Sequence, residues 1–459
     1  MSPASHPNGE VTLACSSGHG NGHHAAAVPA TSLTIGNHGN DSSAQAPLLQ
    51  VDKLRREQRA DGPACVLDVG TANPANCISQ DEFADWYFRV TKSEHLTHLK
   101  EKMKKTSNEV LTSKHGRLNV SGEQVQVKKR YFQVTDELLS AHPELLDPSL
   151  PSIDARLQAV ASALPELAAA AAAKAIAEWG RPASDITHLV VSTSSGAQIP
   201  GIDVRVASLL GLRPAVRRTM IYFQGCTGAA AALRVAKDAA ENSRGARVLA
   251  VCADVLSAMA FHSPADDDDG EGAVAHAIFG DGAGAVVVGA DPDALAGEER
   301  HVFEMVSASQ ATIPGTERLV TGDFGSAGLG YNLAPMEVPV LVAGNIEKVL
   351  AGAVAPLAGI VEEGTGWNSL FWVVHPGSPM ILKSYEKVLG LEPGKLAASR
   401  TVLGEYGNMI GPTVIFVLDE VLRRRRKEGE DGGEGCEWGL LVGLGPGFTA
   451  EVMVLRAWK

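Results

Sequence analysis

Three residues of this 459-residue chain have the types that thiol-based acyl chemistry needs: Cys226, His375 and Asn408. Cys226 lies in RRTMIYFQGCTGAAAALRVAKDAAEN, residues 217–242, where residues 218–223 read as a buried strand and residues 227–242 as an alanine-rich amphipathic helix. A thiol at that junction meets the free N–H groups and the positive end of the helix dipole, which favour thiolate over thiol. Gly225, Gly228, Ala229 and Ala230 keep the approach to sulfur open. His375 ends a strand (residues 370–374), and Asn408 interrupts the chain between a helix at 397–406 and another from Pro412. Singly, each has a structural explanation: a buried small thiol, a core imidazole, a capping carboxamide. Together they describe a cysteine attacking a thioester and an imidazole that stabilises or generates the thiolate. The imidazole Nε2–H and the Asn408 amide are then donors to a developing oxyanion. No carboxylate base accompanies them, which suits a reaction whose carbanion comes from decarboxylation.

Two rivals share parts of this pattern. The order Cys, His, Asn also suits a papain-type peptidase, but the C-G-[SA]-C-[WY] signature is absent and the cysteine is mid-chain. A degradative thiolase wants a second cysteine near the C-terminal glycine turn, and residues 443–448, GLGPGF, hold none.

The elements that must position these residues alternate strand and helix through both halves, which reads as a layered α/β fold. Residues 1–50 contain no Lys or Arg and are rich in Ser, Gly, Ala, Asn and His; they read as a disordered, low-complexity extension, and His19, His23 and His24 as solvated rather than metal-binding. The folded part is expected from near Ala64, with an N-terminal half at 51–295 and a C-terminal half at 296–459. Residues 81–105 read as one helix ending in Lys92, Lys100, Lys102, Lys104 and Lys105, either a solvated face or a site for an anion such as a nucleotide phosphate. Residues 106–126 read as a surface insertion. A helix at 156–180 is expected to break at Pro165, followed by strands at 188–194 and 247–253. Residues 264–272, with four successive aspartates, read as an exposed loop. The glycines of FGDGAGA (279–285) read as a tight turn between strands. The basic residues 423–427 fall at the C-terminus of a helix, where the dipole favours them.

A net charge of −13 argues against a nucleic-acid partner, since phosphate binding needs a basic face. No run of eighteen apolar residues appears, so no membrane span is expected. Six cysteines without paired metal spacing suggest reduced thiols in a cytoplasmic protein, with no metal.

At these residues the chain resembles the plant type III polyketide synthases, the chalcone synthase family. The likeness runs through YFRVTKSEH (87–95), WGRPASDITHLV (179–190), GLRPAVRR (211–218), GARVLAVCAD (245–254), FGDGAGA, FWVVHPG, EYGNM and GLGPGFT. HPELLDPSLPSIDAR and GLEPGKLAASR are similar to the grass alkylresorcinol and curcuminoid synthases. The resemblance implies a thiolase fold of two similar halves in an αβαβα core, and a homodimer. It implies an acyl-CoA starter loaded on Cys226, extended with malonyl-CoA and cyclised in one cavity, with CoA thioesters as substrates and no cofactor. An alkylresorcinol-type or related phenolic product is expected; chalcone or stilbene synthesis, a carrier-protein-dependent ketoacyl synthase and a catalytically silent pathway partner are the alternatives. Cys226, His375 and Asn408 match the family triad, and Phe279 the aromatic gate that helps malonyl decarboxylation. Tyr331 falls on the second gate, where phenylalanine is usual. Lys102 and Lys105 match the mouth of the CoA tunnel, Ser194, Ser195, Met259, Ala260 and Gly322 the pocket wall, and Ile199 the residue that reaches into the partner's cavity. Ile410 stands where chalcone synthases have serine, Thr227 where phenylalanine is common, and Glu109 where the tunnel has a basic residue.

Overall fold

In the computed structural model of this protein, residues 42–108, 127–264, 276–291, 299–357, 359–361, 364–428 and 436–458 are described. The proposed disorder of residues 1–41, most of the 106–126 insertion and most of the acidic stretch 264–272 lie outside them. The extension read as reaching residue 50 gives way earlier to a helix, Ser42–Gln58. The chain divides into Met1–Lys53 and Leu54–Lys459, and the sheets, their covering helices and the catalytic residues all belong to the second unit.

Thirteen strands are described: β1 Cys65–Ala72, β2 Asn76–Ser79, β3 Lys129–Phe132, β4 His188–Thr193, β5 Arg217–Tyr222, β6 Arg247–Asp254, β7 Gly282–Gly289, β8 Phe303–Thr312, β9 Val320–Gly325, β10 Gly328–Leu333, β11 Phe371–Val374, β12 Trp438–Gly445 and β13 Thr449–Ala457. Nine form one sheet in the order β11-β12-β13-β8-β1-β7-β6-β4-β5. The halves repeat each other outward from the β1–β8 contact. On one side β1, β7 and β6 pair antiparallel and β6, β4 and β5 parallel. On the other β8, β13 and β12 pair antiparallel and β12 and β11 parallel.

Strand periodicity turns this sheet into five layers, because alternate residues face opposite sides. Leu189, Val191, Leu249, Val251 and Val287 pack on the helix Ile153–Trp179. Their neighbours Val190, Val248, Ala250, Val286 and Val288 join Val373, Leu441 and Met453 around two central helices, Gly228–Glu241 and Thr413–Glu428. Trp372, Val374, Leu440, Val442, Val452 and Val454 face the helices Glu337–Val354 and Pro379–Leu389. This is the αβαβα arrangement of the thiolase fold, and the nucleophile helix is one of its two central helices.

Three expectations are corrected and a fourth is met. The helix Ile153–Trp179 runs unbroken through Pro165; it is long and apolar enough to cross a membrane by length and composition, yet its buried face covers the sheet. Residues 81–105 form two helices, Gln80–Val90 and Thr97–Asn108, parted at Lys92, whose φ is 55°. Gly282 and Gly284 belong to strand β7 and make no turn: a Cβ on Gly282 would stand 2.5 Å from Met409 Sδ, and one on Gly284 2.6 Å from Ile415 Cβ, so they let the Asn408 turn and a central helix approach the sheet. As expected, the basic run at 423–427 lies in the last turns of the helix Thr413–Glu428, with Arg423 and Arg424 paired to Glu420 and Arg426 to Asp68.

Candidate active site

The nucleophile sits on a sharply turned elbow. After β5, Phe223 and Gly225 adopt φ of 59° and 55°, a one-turn 3-10 segment Gly225–Thr227 follows, and the helix starts at Gly228. Phe223 N donates to Thr193 O at 3.0 Å, Gly225 N to Ser194 Oγ at 3.0 Å, and Thr227 Oγ1 to Gln224 O at 2.7 Å. The GLGPGF turn lies against this elbow: a Cβ on Gly225 would meet Pro446 Cδ at 2.7 Å, and one on Gly445 would meet Thr227 N at 2.9 Å. That contact explains why the C-terminal turn is built of glycine and proline.

Cys226 emerges among Leu256, Ala260, Phe279, Leu329, Tyr331 and Ile410. The expectation that the junction itself ionises the sulfur is corrected here. Burial in this apolar ring pushes the Cys226 thiol up to about 12, the Asp254 carboxylate pushes the same way, and the Asn408 side chain, hydrogen-bonded to sulfur, acts against both. The full helix begins two residues later, at Gly228.

His375 leaves the end of β11, its N–H donating to Val442 O at 2.9 Å. The side chain is 1% exposed, and neither ring nitrogen has a hydrogen-bond partner among the described residues. Burial holds its imidazole down at about 3, so it is neutral, with one nitrogen a donor and the other an acceptor. His375 and Cys226 line the same cavity, and neither ring nitrogen is hydrogen-bonded to the sulfur.

Asn408 has its carboxamide assigned by its neighbours. Ile410 N donates to Asn408 Oδ1 at 2.9 Å and Thr413 Oγ1 does so at 3.4 Å. A backbone N–H only donates, which fixes Oδ1 and leaves Nδ2 as the donor. Nδ2 gives one hydrogen bond to Gly377 O at 3.1 Å and faces the Cys226 sulfur with the other. Gly377 also adjoins the imidazole: a Cβ there would sit 3.7 Å from His375 Nε2.

All three residues open onto one cavity of about 700 Å³ with a mainly apolar lining. Phe279 and Tyr331 meet across it edge to face, ring centroids 5.8 Å apart at 74°. Ser194, Ser195, Gly322 and Ile410 also line it. Gly322 pairs with Tyr331 across the β9–β10 hairpin, two strands the sequence reading did not identify, and its missing side chain keeps that wall thin.

Other expected wall residues lie elsewhere. Met259 is buried in the cluster beneath the helix Ile153–Trp179 and lines no cavity wall. Ala260 touches the ring of side chains around the sulfur but borders a separate, water-sized gap behind the gate, with Phe83, Phe132, His276 and Asp281. Ser195, on the cavity wall as expected, has its Oγ engaged, donating to Asp254 Oδ1 at 3.2 Å and accepting from Val255 N at 2.8 Å. Ile199 is wholly exposed and outside the cavity. Lys102 is exposed on the helix Thr97–Asn108 and is not among the cavity-lining residues, and the Lys105 side chain and Glu109 lie outside the described residues.

The sequence reading missed Asp254. Its carboxylate, buried at the end of β6, accepts from Ser194 N at 2.7 Å and Gly411 N at 3.2 Å, and so ties the end of β4, which braces the elbow through Ser194 Oγ, to the turn after Asn408. Burial raises it to about 7. Its signal was the acid that ends the otherwise apolar strand VLAVCAD.

Comparison with known proteins agrees with this geometry. The family model described as "Chalcone and stilbene synthases, N-terminal domain" matches residues 51–292, and that described as "Chalcone and stilbene synthases, C-terminal domain" matches residues 304–459. Among curated proteins, bisdemethoxycurcumin synthase of Oryza sativa subsp. japonica is 52% identical over 410 residues, covering 89% of this chain and 96% of that protein.

Proposed function

Since the chain belongs to the chalcone and stilbene synthase family, and is therefore a type III polyketide synthase, a CoA-dependent acyltransferase, we propose that it loads a fatty or phenylpropanoid acyl-CoA on Cys226. It then extends the acyl group with malonyl-CoA and cyclises it to an alkylresorcinol-type or related phenolic product. One observation carries the reading: the thiol, the neutral imidazole, the Asn408 Nδ2 and the Phe279 ring converge on one apolar cavity.

His375 accepts the thiol proton as Cys226 Sγ attacks the starter thioester. The tetrahedral intermediate collapses, CoA leaves as the thiol, and the acyl group stays on sulfur. Malonyl-CoA then binds with its carboxylate against the Phe279 ring, an apolar surface that solvates the anion poorly and favours its loss as CO₂. The electron pair left by the broken C–C bond passes to the thioester oxygen, where Asn408 Nδ2–H and an imidazole N–H stabilise the enolate. The enolate carbon attacks the acyl carbonyl, the C–S bond to Cys226 breaks, and the thiolate returns. No cofactor is needed, because the thioesters carry both leaving groups.

Lys102 and Lys105 are proposed to hold the CoA phosphates, Ser194, Gly322 and Ile410 to shape the growing chain, and Ile199 to complete the cavity of a second copy. Two features support a homodimer: a fully exposed isoleucine, and the edge strand β5, whose first half presents exposed side chains and an unpaired ladder edge. A cytoplasmic location suits the free cysteines.

The rice relative's name brings a second reading, a curcuminoid-type product from phenylpropanoid units, supported by the 52% identity. Purified protein given labelled malonyl-CoA and a panel of fatty acyl-CoA and phenylpropanoyl-CoA starters separates the two. Long-chain phenolic lipids support the first and diarylheptanoids the second. Condensation only with malonyl carrier protein moves the chain to the ketoacyl synthases, and no product from any starter makes it a silent binding partner.

A further inference from the structure

The gate residue and the catalytic asparagine sit on two short loops, and the main chains of both are held from below by one buried side-chain pair outside the known triad. Arg130 in β3 is fully buried, its guanidinium carbon 3.9 Å from the centroid of the Phe83 ring. Its Nε donates to Gln80 Oε1 at 2.9 Å. Its Nη1 donates to His276 O at 2.6 Å and to Phe279 O at 2.8 Å. Gln80 Nε2 donates to Ala277 O at 2.9 Å. The remaining carbonyl of this run, Ile278 O, accepts the backbone N–H of Asn408 at 2.9 Å, and Gly280 N donates back to Asn408 O at 2.9 Å. Four consecutive carbonyls, 276 to 279, are thus satisfied by Arg130, Gln80 and Asn408 and by no regular ladder. The same arginine fills the space under the other loop: a Cβ on Gly407 would stand 2.7 Å from Arg130 Cγ.

We propose that Arg130, oriented by Gln80, is a positioning residue that sets the Phe279 ring and the Asn408 carboxamide in mutual register for decarboxylation, while leaving the acylation of Cys226 largely untouched. The asymmetry follows from connectivity. Cys226 rests on β5, the elbow and the Pro446 turn, and His375 on β11, and no hydrogen bond of Arg130 reaches either element. Phe279 and Asn408 have the loop carbonyls as their common support. A planar fork is required, because one guanidinium reaches the amide oxygen of Gln80 and two backbone oxygens at once; an ammonium on a flexible stem does not reproduce that plane. The inference rests on the reaction proposed above for the enolate-forming step.

The test uses the full chain with Arg130→Lys, Arg130→Met and Gln80→Met, the last removing both amide contacts at nearly constant volume. Three readouts are taken: stoichiometric acylation of Cys226 by the starter thioester, followed by intact mass; malonyl-CoA decarboxylation and condensation under turnover; and amide hydrogen exchange of peptides spanning 276–281 and 405–411. The expected result is decarboxylation slowed about 10- to 100-fold, acylation within about threefold of the parent, and faster exchange in both peptides together. Arg130→Lys is expected not to rescue. Equal loss of acylation and decarboxylation, exchange that rises in one peptide only, or folded variants with unchanged exchange would each overturn the proposal. If both Arg130 variants fail to fold, Gln80→Met decides by the same criteria. If the parent protein makes no product from any starter, the reaction assigned above falls, and the exchange of the two peptides still decides whether one pair holds both loops.

Discussion

Ile410 gives its backbone N–H to Asn408 Oδ1 at 2.9 Å, and does so from a left-handed backbone, φ 63°. A β-branched residue pays roughly 1–2 kcal/mol for that conformation. The strain persists because the turn it makes aims the carboxamide, and because the side chain fills the cavity wall beside the sulfur. Ile410→Ser exchanges buried apolar surface worth roughly 2 kcal/mol for relief of part of the strain. Net destabilisation below about 2 kcal/mol is therefore expected, along with a changed product distribution from the enlarged, more polar wall. Denaturant unfolding and product profiling by mass spectrometry check the two parts, and an unchanged profile would remove Ile410 from the cavity-shaping residues.

Asn408→Asp separates the two ends of the carboxamide. One carboxylate oxygen still accepts from Ile410 N, so the turn survives, but the other replaces the donor that faces Gly377 O and the sulfur. Losing one oxyanion donor costs about 10²- to 10³-fold in turnover, and a negative charge there makes the loss larger. Condensation is expected to fall at least about 100-fold, with a lowered melting temperature because a buried carboxylate oxygen then faces Gly377 O. Turnover within threefold of the parent would show that Nδ2 does not stabilise the enolate.

His375→Gln tests where the thiol proton goes. Burial and the Asp254 carboxylate hold the thiol well above its ordinary range, and the proposed reaction makes the neutral imidazole the acceptor that lowers the cost of ionisation. The pH profile of iodoacetamide alkylation at Cys226 should therefore show its inflection at lower pH in the parent than in His375→Gln. Coincident profiles would mean that the imidazole takes no proton from sulfur.

Most of the site was legible in sequence because it is local. The strand–Gly–Cys–helix junction, the strand ending in His375 and the loop holding Asn408 each carry their own signal within a few residues. What was not legible depends on approach between distant segments. The glycines of β7 look like turn residues until Met409 and Ile415 are seen to lie where their side chains would be. The β9–β10 hairpin escaped notice because VTGDFG and GLGYNL are glycine-rich, with little of the alternation that marks a strand. Met259 was assigned to a wall by position alone, whereas the short helix Leu256–Ala260 turns it into the core. Arg130 in KKRYF carries no local sequence signal, and only the fold brings two loop carbonyls, the Gln80 amide and an aromatic face around it.

The elbow offers a test in which geometry and conformation come apart. Gly225 needs its left-handed φ of 55°, and it also needs empty space, since a Cβ would lie 2.7 Å from Pro446 Cδ and 2.8 Å from Cγ. Gly390, which ends the helix Pro379–Leu389 at φ 60°, needs only the conformation, because nothing lies within 4 Å of a Cβ there. Gly390→Ala should therefore cost about 1 kcal/mol, and Gly225→Ala clearly more, roughly 2–4 kcal/mol, because proline ring carbons in a packed turn cannot withdraw. Since the displaced turn carries Cys226, alkylation and acylation should slow in Gly225→Ala and stay at the parental rate in Gly390→Ala. Adding Pro446→Ala to Gly225→Ala removes the two ring carbons and should recover part of the stability, a coupling visible in a double-mutant cycle by urea unfolding. Equal costs for the two glycine substitutions, or no coupling to Pro446, would show that the C-terminal turn does not brace the nucleophile.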